Sequence, residues 1–197
     1  MTSSSFALLL KKSFPLSKAY AASDGYEALE LLKSKHINIV LLDIGMPRMN
    51  GLEVAKKIAR TYPAVKILIV TQYHGEALIA NLFRIGVDGF VLKNHPTDTI
   101  KQAIEQILSG KKFIPENMKE RLLFILSSKS ASSMNLNKRE AEILLLLKMG
   151  RSSKEIAQSL RLKVNTINSY REEMLQKTKT KNVAELISFA YDNGILA

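Results

Sequence analysis

Residues 37–51 read INIVLLDIGMPRMNG, an apolar run that stops at Asp43 and is followed by a turn. The same arrangement returns twice along the chain, in apolar runs at 65–70 and 90–92 that stop at Thr71 and Lys93. Three short runs of this kind are typical of the buried strands of a parallel sheet. Because the carboxyl ends of parallel strands meet at one edge, we expect Asp43, Thr71 and Lys93 to lie together.

Segments with helical spacing of their apolar residues separate and follow these runs, at 52–60, 76–85 and 97–108. Strand and helix therefore alternate, which predicts right-handed crossovers and helices on both faces of the sheet. Upstream, Leu16–Ala22 is a candidate for a further strand, followed by a helix at 25–33, and residues 6–12 are ambiguous. The first part of the chain is thus predicted to be an α/β domain.

The second part begins after a stretch rich in serine, residues 127–133, which is typical of a linker. A helix at 115–126 precedes it, and only helices are predicted beyond it. Their starts carry capping signals at Asn137, Ser152 and Asn182, and the longest is expected at 164–178. Two short helices joined by a tight connection, the second followed by a longer one, indicate a helix-turn-helix.

Composition narrows the classes of function. With 29 Lys and Arg against 18 Asp and Glu the net charge is +11, a balance that suits a polyanionic partner or, in the plainer interpretation, a well-solvated surface. The absence of cysteine excludes disulfides and thiolate chemistry, and the three histidines lack the spacing of metal ligands. No apolar run reaches the length of a membrane span and no signal peptide is evident, so we expect a cytoplasmic protein with no membrane partner.

The loop at 41–51 resembles the phosphoacceptor loop of two-component receiver domains, and residues 136–196 are similar to the LuxR-type helix-turn-helix of FixJ/NarL-like response regulators. The resemblance implies a flavodoxin/CheY-like receiver at 1–112, a linker helix and serine-rich linker at 113–133, and an all-α DNA-binding domain at 134–197. It also implies a phosphoacceptor at Asp43, with Thr71 and Lys93 contacting the phosphate and Phe90 at the aromatic switch position. For Phe90 and the histidines, plain packing or surface positions are the simpler interpretation.

The chain departs from the receiver pattern at its start. The family's first strand and the adjacent acidic pair that follows it have no counterpart, since residues 6–12 match the family's first helix. Phosphoryl transfer to an aspartate requires Mg²⁺ to neutralise the approaching charges. Asp43 and Gly45 alone would hold it weakly, and Asp24 is a poor replacement for the missing pair. We therefore expect no certain cofactor, Mg²⁺ only if the receiver is phosphorylated, and a direct pairing of Lys93 with Asp43 that holds the site in one state.

In the second domain, spacing along the third helix sets apolar Val164, Ile167 and Met174 on one face and polar side chains on another. The polar set suits base edges in a major groove and coincides with the family's base-contacting positions. Four further residues are candidates for phosphate contacts. The base-reading candidates are Asn168, Ser169 and Glu172, and the phosphate candidates are Lys154, Lys163, Thr166 and Arg171. The apolar face of the last helix, Val183, Leu186, Ile187 and Ala190, is a candidate dimer surface or part of the domain core.

These features predict a sequence-specific transcription regulator that binds double-stranded DNA as a homodimer, with a sensor histidine kinase as a further partner and no enzymatic activity of its own. Its receiver is expected to be impaired in Mg²⁺-dependent phosphorylation. One alternative is a conventional phosphorylation-activated regulator with Asp43 as acceptor, whose sequence as given omits the first strand. Two others are a phosphoryl relay module without specific DNA binding and a non-specific nucleic-acid binder driven by charge.

Overall fold

The computed structural model describes residues 14–15, 18–127 and 136–196 of the chain. They divide into two compact units, the first formed by the described residues up to 72 with 79–123, and the second by 73–78 with the described residues from 124 onward. Among the described residues, no helix has both the length and the apolar character needed to span a membrane. The elements in chain order are α1 (Gly25–Ser34), β1 (Ile39–Leu42), α2 (Gly51–Thr61), β2 (Lys66–Thr71), α3 (Glu76–Ile85), β3 (Gly89–Leu92), α4 (Thr97–Leu108), α5 (Glu116–Ser127), α6 (Lys138–Lys148), α7 (Ser153–Leu160), α8 (Val164–Thr178) and α9 (Val183–Asp192).

The first unit contains a parallel sheet with strand order β1-β2-β3. The register pairs Leu42 with Ile69 and Thr71 with Leu92, so the three carboxyl ends lie side by side. Leu68 and Val70 of β2 pack in one core cluster with residues of α4. The alternate residues Ile67 and Ile69 are equally buried and point to the opposite face. The sheet is therefore covered on both sides, as the continuous apolar runs predicted.

The strand predicted at 16–22 is not present where it can be observed, because residues 18–22 form no strand. Leu16 and Ser17, like residues 6–12, lie outside the described residues. A strand forms only as part of a hydrogen-bonded ladder, and among the described residues no ladder pairs residues 18–22 with β1, β2 or β3. The prediction is wrong for residues 18–22 for this reason.

The second unit is helical over residues 136–196, and its helix starts follow the predicted signals. Asn137 and Ser152 form capping boxes with Glu140 and Glu155, and Asn182 caps α9. The helices enclose one apolar core, which includes Ile143, Leu144, Leu147, Ile156, Ala157, Ile167, Met174, Leu186, Ala190 and Leu196.

The structure bears on two predictions about apolar faces in this unit, and the one for Val164 is wrong. Val164 is 41% exposed rather than packed, because it occupies the first position of α8, before the helix reaches the core. On α9, Leu186 and Ala190 are fully buried inside the unit, and Val183 and Ile187 pack against the same core. These four residues thus contribute to the domain core, one of the two interpretations that the sequence offered for this face.

Candidate functional site

The first candidate site lies at the carboxyl edge of the sheet, where the three predicted residues meet. Asp43 follows β1, Thr71 is the last residue of β2 and Lys93 follows β3. The Lys93 ammonium forms an ion pair with Oδ2 of Asp43, and both side chains are about one quarter exposed, at 25% and 27%. The Lys93 N–H also donates to the Thr71 carbonyl at 2.9 Å. The expected pairing of Lys93 with Asp43 is present, and Thr71 lies fully buried beside it.

The loop after Asp43 is folded tightly back on itself. The Gly51 N–H donates to the Ile44 carbonyl at 3.1 Å, and a Cβ on Gly51 would stand 2.0 Å from the Asp43 carbonyl oxygen. Only glycine fits there. The Asn50 side chain then caps α2 by accepting from the Leu52 N–H at 2.8 Å. The Asp43 main chain and the start of α2 are therefore packed against one another.

Asp24, considered from the sequence as a poor metal ligand, has a structural role. One carboxylate oxygen accepts from the N–H groups of Tyr26 and Glu27 and so caps α1, and the other lies 2.6 Å from Nη1 of Arg48. The hydrogen bond from the Glu27 N–H is the main cause that holds the pKa of Asp24 below its usual range, with Arg48 adding to it against the effect of burial. Arg48 itself adopts a left-handed backbone with φ of 64°.

The described residues do not fit the Mg²⁺ ion that the receiver fold implies. They contain no group of three or more His, Cys, Asp or Glu side chains that could hold a metal. Asp43 forms an ion pair with Lys93, and its Oδ1 accepts from the Gly45 N–H at 3.2 Å. The Asp24 carboxylate already caps α1 and binds Arg48.

Phe90, predicted at the aromatic switch position, is fully buried in the middle of β3. Its N–H donates to the Phe113 carbonyl at 3.1 Å, which ties the strand to the segment after α4. The described position is that of a core side chain.

The second candidate site is the exposed side of α8. The predicted base-reading residues Asn168, Ser169 and Glu172 are all exposed, whereas Ile167 and Met174 on the opposite side are buried. Asn165 and Gln176 are exposed on the same face and were missed by the sequence analysis. Counting back three residues from Asn168 and onward four from Glu172 along the helix would have found them.

Most of the predicted phosphate-contacting residues are at least partly exposed. Lys154, near the start of α7, and Lys163, before α8, are exposed, and Thr166 is half-buried. Lys163 occupies the N-cap position of α8 and makes no capping hydrogen bond with its side chain. Arg171 differs from the others, because its Nη1 donates to Oγ of Ser153 at 2.7 Å and so joins α8 to the first turn of α7.

Two protein-family models match the chain, one for each of its two parts. The family model "Response regulator receiver domain" matches residues 3–105, and "Bacterial regulatory proteins, luxR family" matches residues 134–190. The oxygen regulatory protein NreC of Staphylococcus carnosus is 30% identical over 200 residues, covering 97% of this chain and 92% of the relative. NreC of Staphylococcus aureus strain JH9 is 29% identical with the same coverage.

Solved structures share the fold. RcsB of Salmonella enterica serovar Typhimurium, bound to promoter P1flhDC in the presence of phosphomimetic BeF3⁻, has a TM-score of 0.63 at 24% identity, covering 96% of this chain and 94% of that chain. A structure of two RcsB dimers bound to two parallel DNAs gives a TM-score of 0.60 at 23% identity, covering 95% and 91%. A receiver domain followed by a LuxR-type domain, matched in this order over nearly the whole chain, shows that the protein belongs to the LuxR-type response regulators.

Proposed function

We propose that this chain is a sequence-specific DNA-binding transcription regulator whose receiver site is occupied by its own lysine. The proposal of DNA binding is supported by the exposed polar face of α8. The opposite face of this helix is buried in the core of the domain. A helix of this kind, preceded by a short helix and a tight turn, has the form that enters a major groove.

Affinity would come from contacts with the phosphate backbone on either side of α8. Lys154 and Lys163 are exposed cations, and Thr166 adds a hydroxyl donor. The first turn of α8 contains no acidic residue and its N-cap side chain makes no capping hydrogen bond, so its first N–H groups are available to a phosphate. Arg171, already bound to Ser153, retains further guanidinium donors for a phosphate while it holds α7 against α8.

Because a single helix reads only a few base pairs, we propose that two copies bind two half-sites. The same arrangement is consistent with the RcsB dimers seen on DNA. The net charge of +11 favours, as a second candidate, a binder without sequence preference. Substituting Asn168 by alanine separates the two, since a specific reader loses about 1–3 kcal/mol at its own site and a non-specific binder loses nothing.

That comparison is made with a duplex enriched from a random library by the intact chain. Affinities are measured by fluorescence anisotropy over a range of salt concentrations. Equal affinity of the wild type for enriched and random duplexes, with a steep salt dependence, would contradict the specific function.

For the receiver, we propose that the ion pair between Lys93 and Asp43 holds the site in one state and that Mg²⁺-dependent phosphorylation is weak. With Lys93 on Asp43 and Arg48 on Asp24, the described residues leave few carboxylate oxygens free to hold a Mg²⁺ ion beside an incoming phosphoryl group. Lys93→Ala should change the stability of the first unit, the DNA affinity, or both. A variant unchanged in both would show that the ion pair controls neither.

Intact-protein mass after incubation with acetyl phosphate and Mg²⁺ tests the same proposal, with Asp43→Asn as the control. We expect no adduct, or a minor one that the control lacks. A stoichiometric adduct that depends on Asp43 would restore the conventional response regulator, with Asp43 as acceptor and a sensor histidine kinase as its donor.

We further propose domain limits of 1–112 and 134–197 joined by 113–133, a cytoplasmic location and no enzymatic activity. The location fits a chain whose described helices do not span a membrane and whose partner is DNA. The lack of activity fits a protein that carries its function in a binding surface.

A further inference from the structure

The exposed face of α8 is made of amides, a hydroxyl and a carboxylate. Successive residues of an α-helix are turned by about 100°, so positions 165, 168, 169, 172 and 176 form one stripe on the side opposite Ile167 and Met174. We call these five residues the reading stripe; all are exposed, and they are Asn165, Asn168, Ser169, Glu172 and Gln176.

Neither of the cations of α8 belongs to the reading stripe. The helix contains two, Arg171 and Lys177. Arg171 donates to Ser153, and Lys177 forms an ion pair with the buried carboxylate of Glu140. Both positive charges of the helix are thus bound by the domain itself, and neutral or negative groups face outward.

This distribution matters because the four bases offer different groups in the major groove. Guanine presents two acceptors and is read mainly by Arg or Lys. Adenine presents an acceptor beside a donor, which matches the amide of Asn or Gln. Cytosine presents the N4 amino donor, which a carboxylate accepts. A stripe with amides and a carboxylate and without a cation is suited to adenine and cytosine.

We propose that α8 reads adenine and cytosine on its contacted strand without a direct guanine contact. Asn165 joins Asn168 as an adenine-reading residue, and Glu172 accepts from cytosine N4. The inference rests on the function proposed above and specifies the class of DNA site that it requires.

Glu172 also acts against the wrong sequences. An exposed carboxylate that approaches DNA is repelled by the phosphates and gains a compensating hydrogen bond only where a base offers a donor. Glu172→Gln should therefore raise affinity for random DNA and lower the preference for the enriched site. Glu173 is exposed and lies beside the stripe, so Glu173→Gln removes the same charge as a matched control. The control should raise affinity for all sequences alike.

The test uses the full chain and the duplex enriched from a random library. Each adenine or guanine of a half-site is replaced in turn by its 7-deaza analogue, which lacks the N7 acceptor. We expect 7-deazaadenine at two positions to weaken binding by about 5- to 150-fold, and 7-deazaguanine to have little effect. The loss at one adenine should disappear in Asn165→Ala and at the other in Asn168→Ala, because each variant has already lost that contact.

The possible results distinguish a failure of the proposed base preference from a failure of specific DNA binding itself. A strong 7-deazaguanine effect without one at adenine would overturn the inference and leave specific DNA binding intact. Unchanged cytosine preference in Glu172→Gln would overturn the role of that carboxylate. A library from which no sequence is enriched would overturn the proposed function, and the inference with it.

Discussion

The ion pair between Lys177 and Glu140 gives the sharpest prediction about the stability of the DNA-binding unit. It joins the last turn of α8 to the first turn of α6. The Glu140 side chain is fully buried, and its other carboxylate oxygen accepts from the Asn137 N–H at 2.8 Å as part of the capping box. Lys177→Met keeps most of the apolar stem and leaves Glu140 buried without a counter-charge.

The size of the effect follows from burial. Removing one partner of a buried ion pair costs about 3–5 kcal/mol. The Lys177 side chain is 37% exposed, so water screens the pair from that side and we expect about 2–3 kcal/mol. For a unit of this size the loss corresponds to a fall in Tm of about 10–20 °C.

Thermal unfolding of the full chain, followed by far-UV circular dichroism, measures this fall. Lys181→Met is the matched control, because it removes the same charge from an exposed position. The double variant Glu140→Gln with Lys177→Met should regain at least about 1 kcal/mol, since the buried carboxylate is then neutral. If Lys177→Met lowered the Tm no more than Lys181→Met, the pair would not support the fold and the reasoning from burial would be wrong.

Three further predictions concern the turns and one buried carboxylate. Arg161 ends α7 with a φ of 55°, so Arg161→Gly should relieve left-handed strain and raise the stability by about 0.5–1 kcal/mol, measured as a higher urea midpoint; a lower midpoint would contradict this. Gly51→Ala should cost about 3 kcal/mol, because the new Cβ would stand 2.0 Å from the Asp43 carbonyl oxygen; a urea midpoint like that of the wild type would show that the loop yields. The lowered pKa of Asp24 means that its contribution to stability is complete above about pH 4 and is lost as the pH falls through the lower, folded pKa. Acid titration of Asp24→Asn should lack that loss.

Local patterns predicted most elements of both units. The apolar runs located β1, β2 and β3 to within two residues, and the capping signals located the starts of α6, α7 and α9. Such signals work because they lie in consecutive residues. A strand buried on both faces requires a continuous apolar run, and a capped helix start requires a polar side chain at its N-cap. The prediction of a strand failed at residues 18–22, because a strand depends on a partner strand that its own sequence does not specify.

The sequence predicted which residues form the two candidate sites better than it predicted the contacts that those residues make. Asp43, Thr71 and Lys93 come together because each lies at the carboxyl end of a strand, and parallel strands place these ends at the same edge of the sheet. Arg171 donates a hydrogen bond to Ser153, and Arg48 forms an ion pair with Asp24. The partners in each pair are far apart in sequence, so no local sequence pattern predicts these contacts. The exposure of Asn165 was within reach, since it follows from helical geometry.

The attachment of Lys93 has a consequence for how the receiver site can move. Its main chain is bonded to Thr71 while its side chain alone bridges to Asp43. Rotation about the side-chain bonds of one lysine is then enough to uncover the carboxylate, with the strands left in register. Rotamer changes are among the fastest motions of a folded protein, far quicker than rearrangement of a sheet or a helix. The Asp43 carboxylate can therefore lose its counter-ion and become accessible to a cation while the sheet keeps its shape.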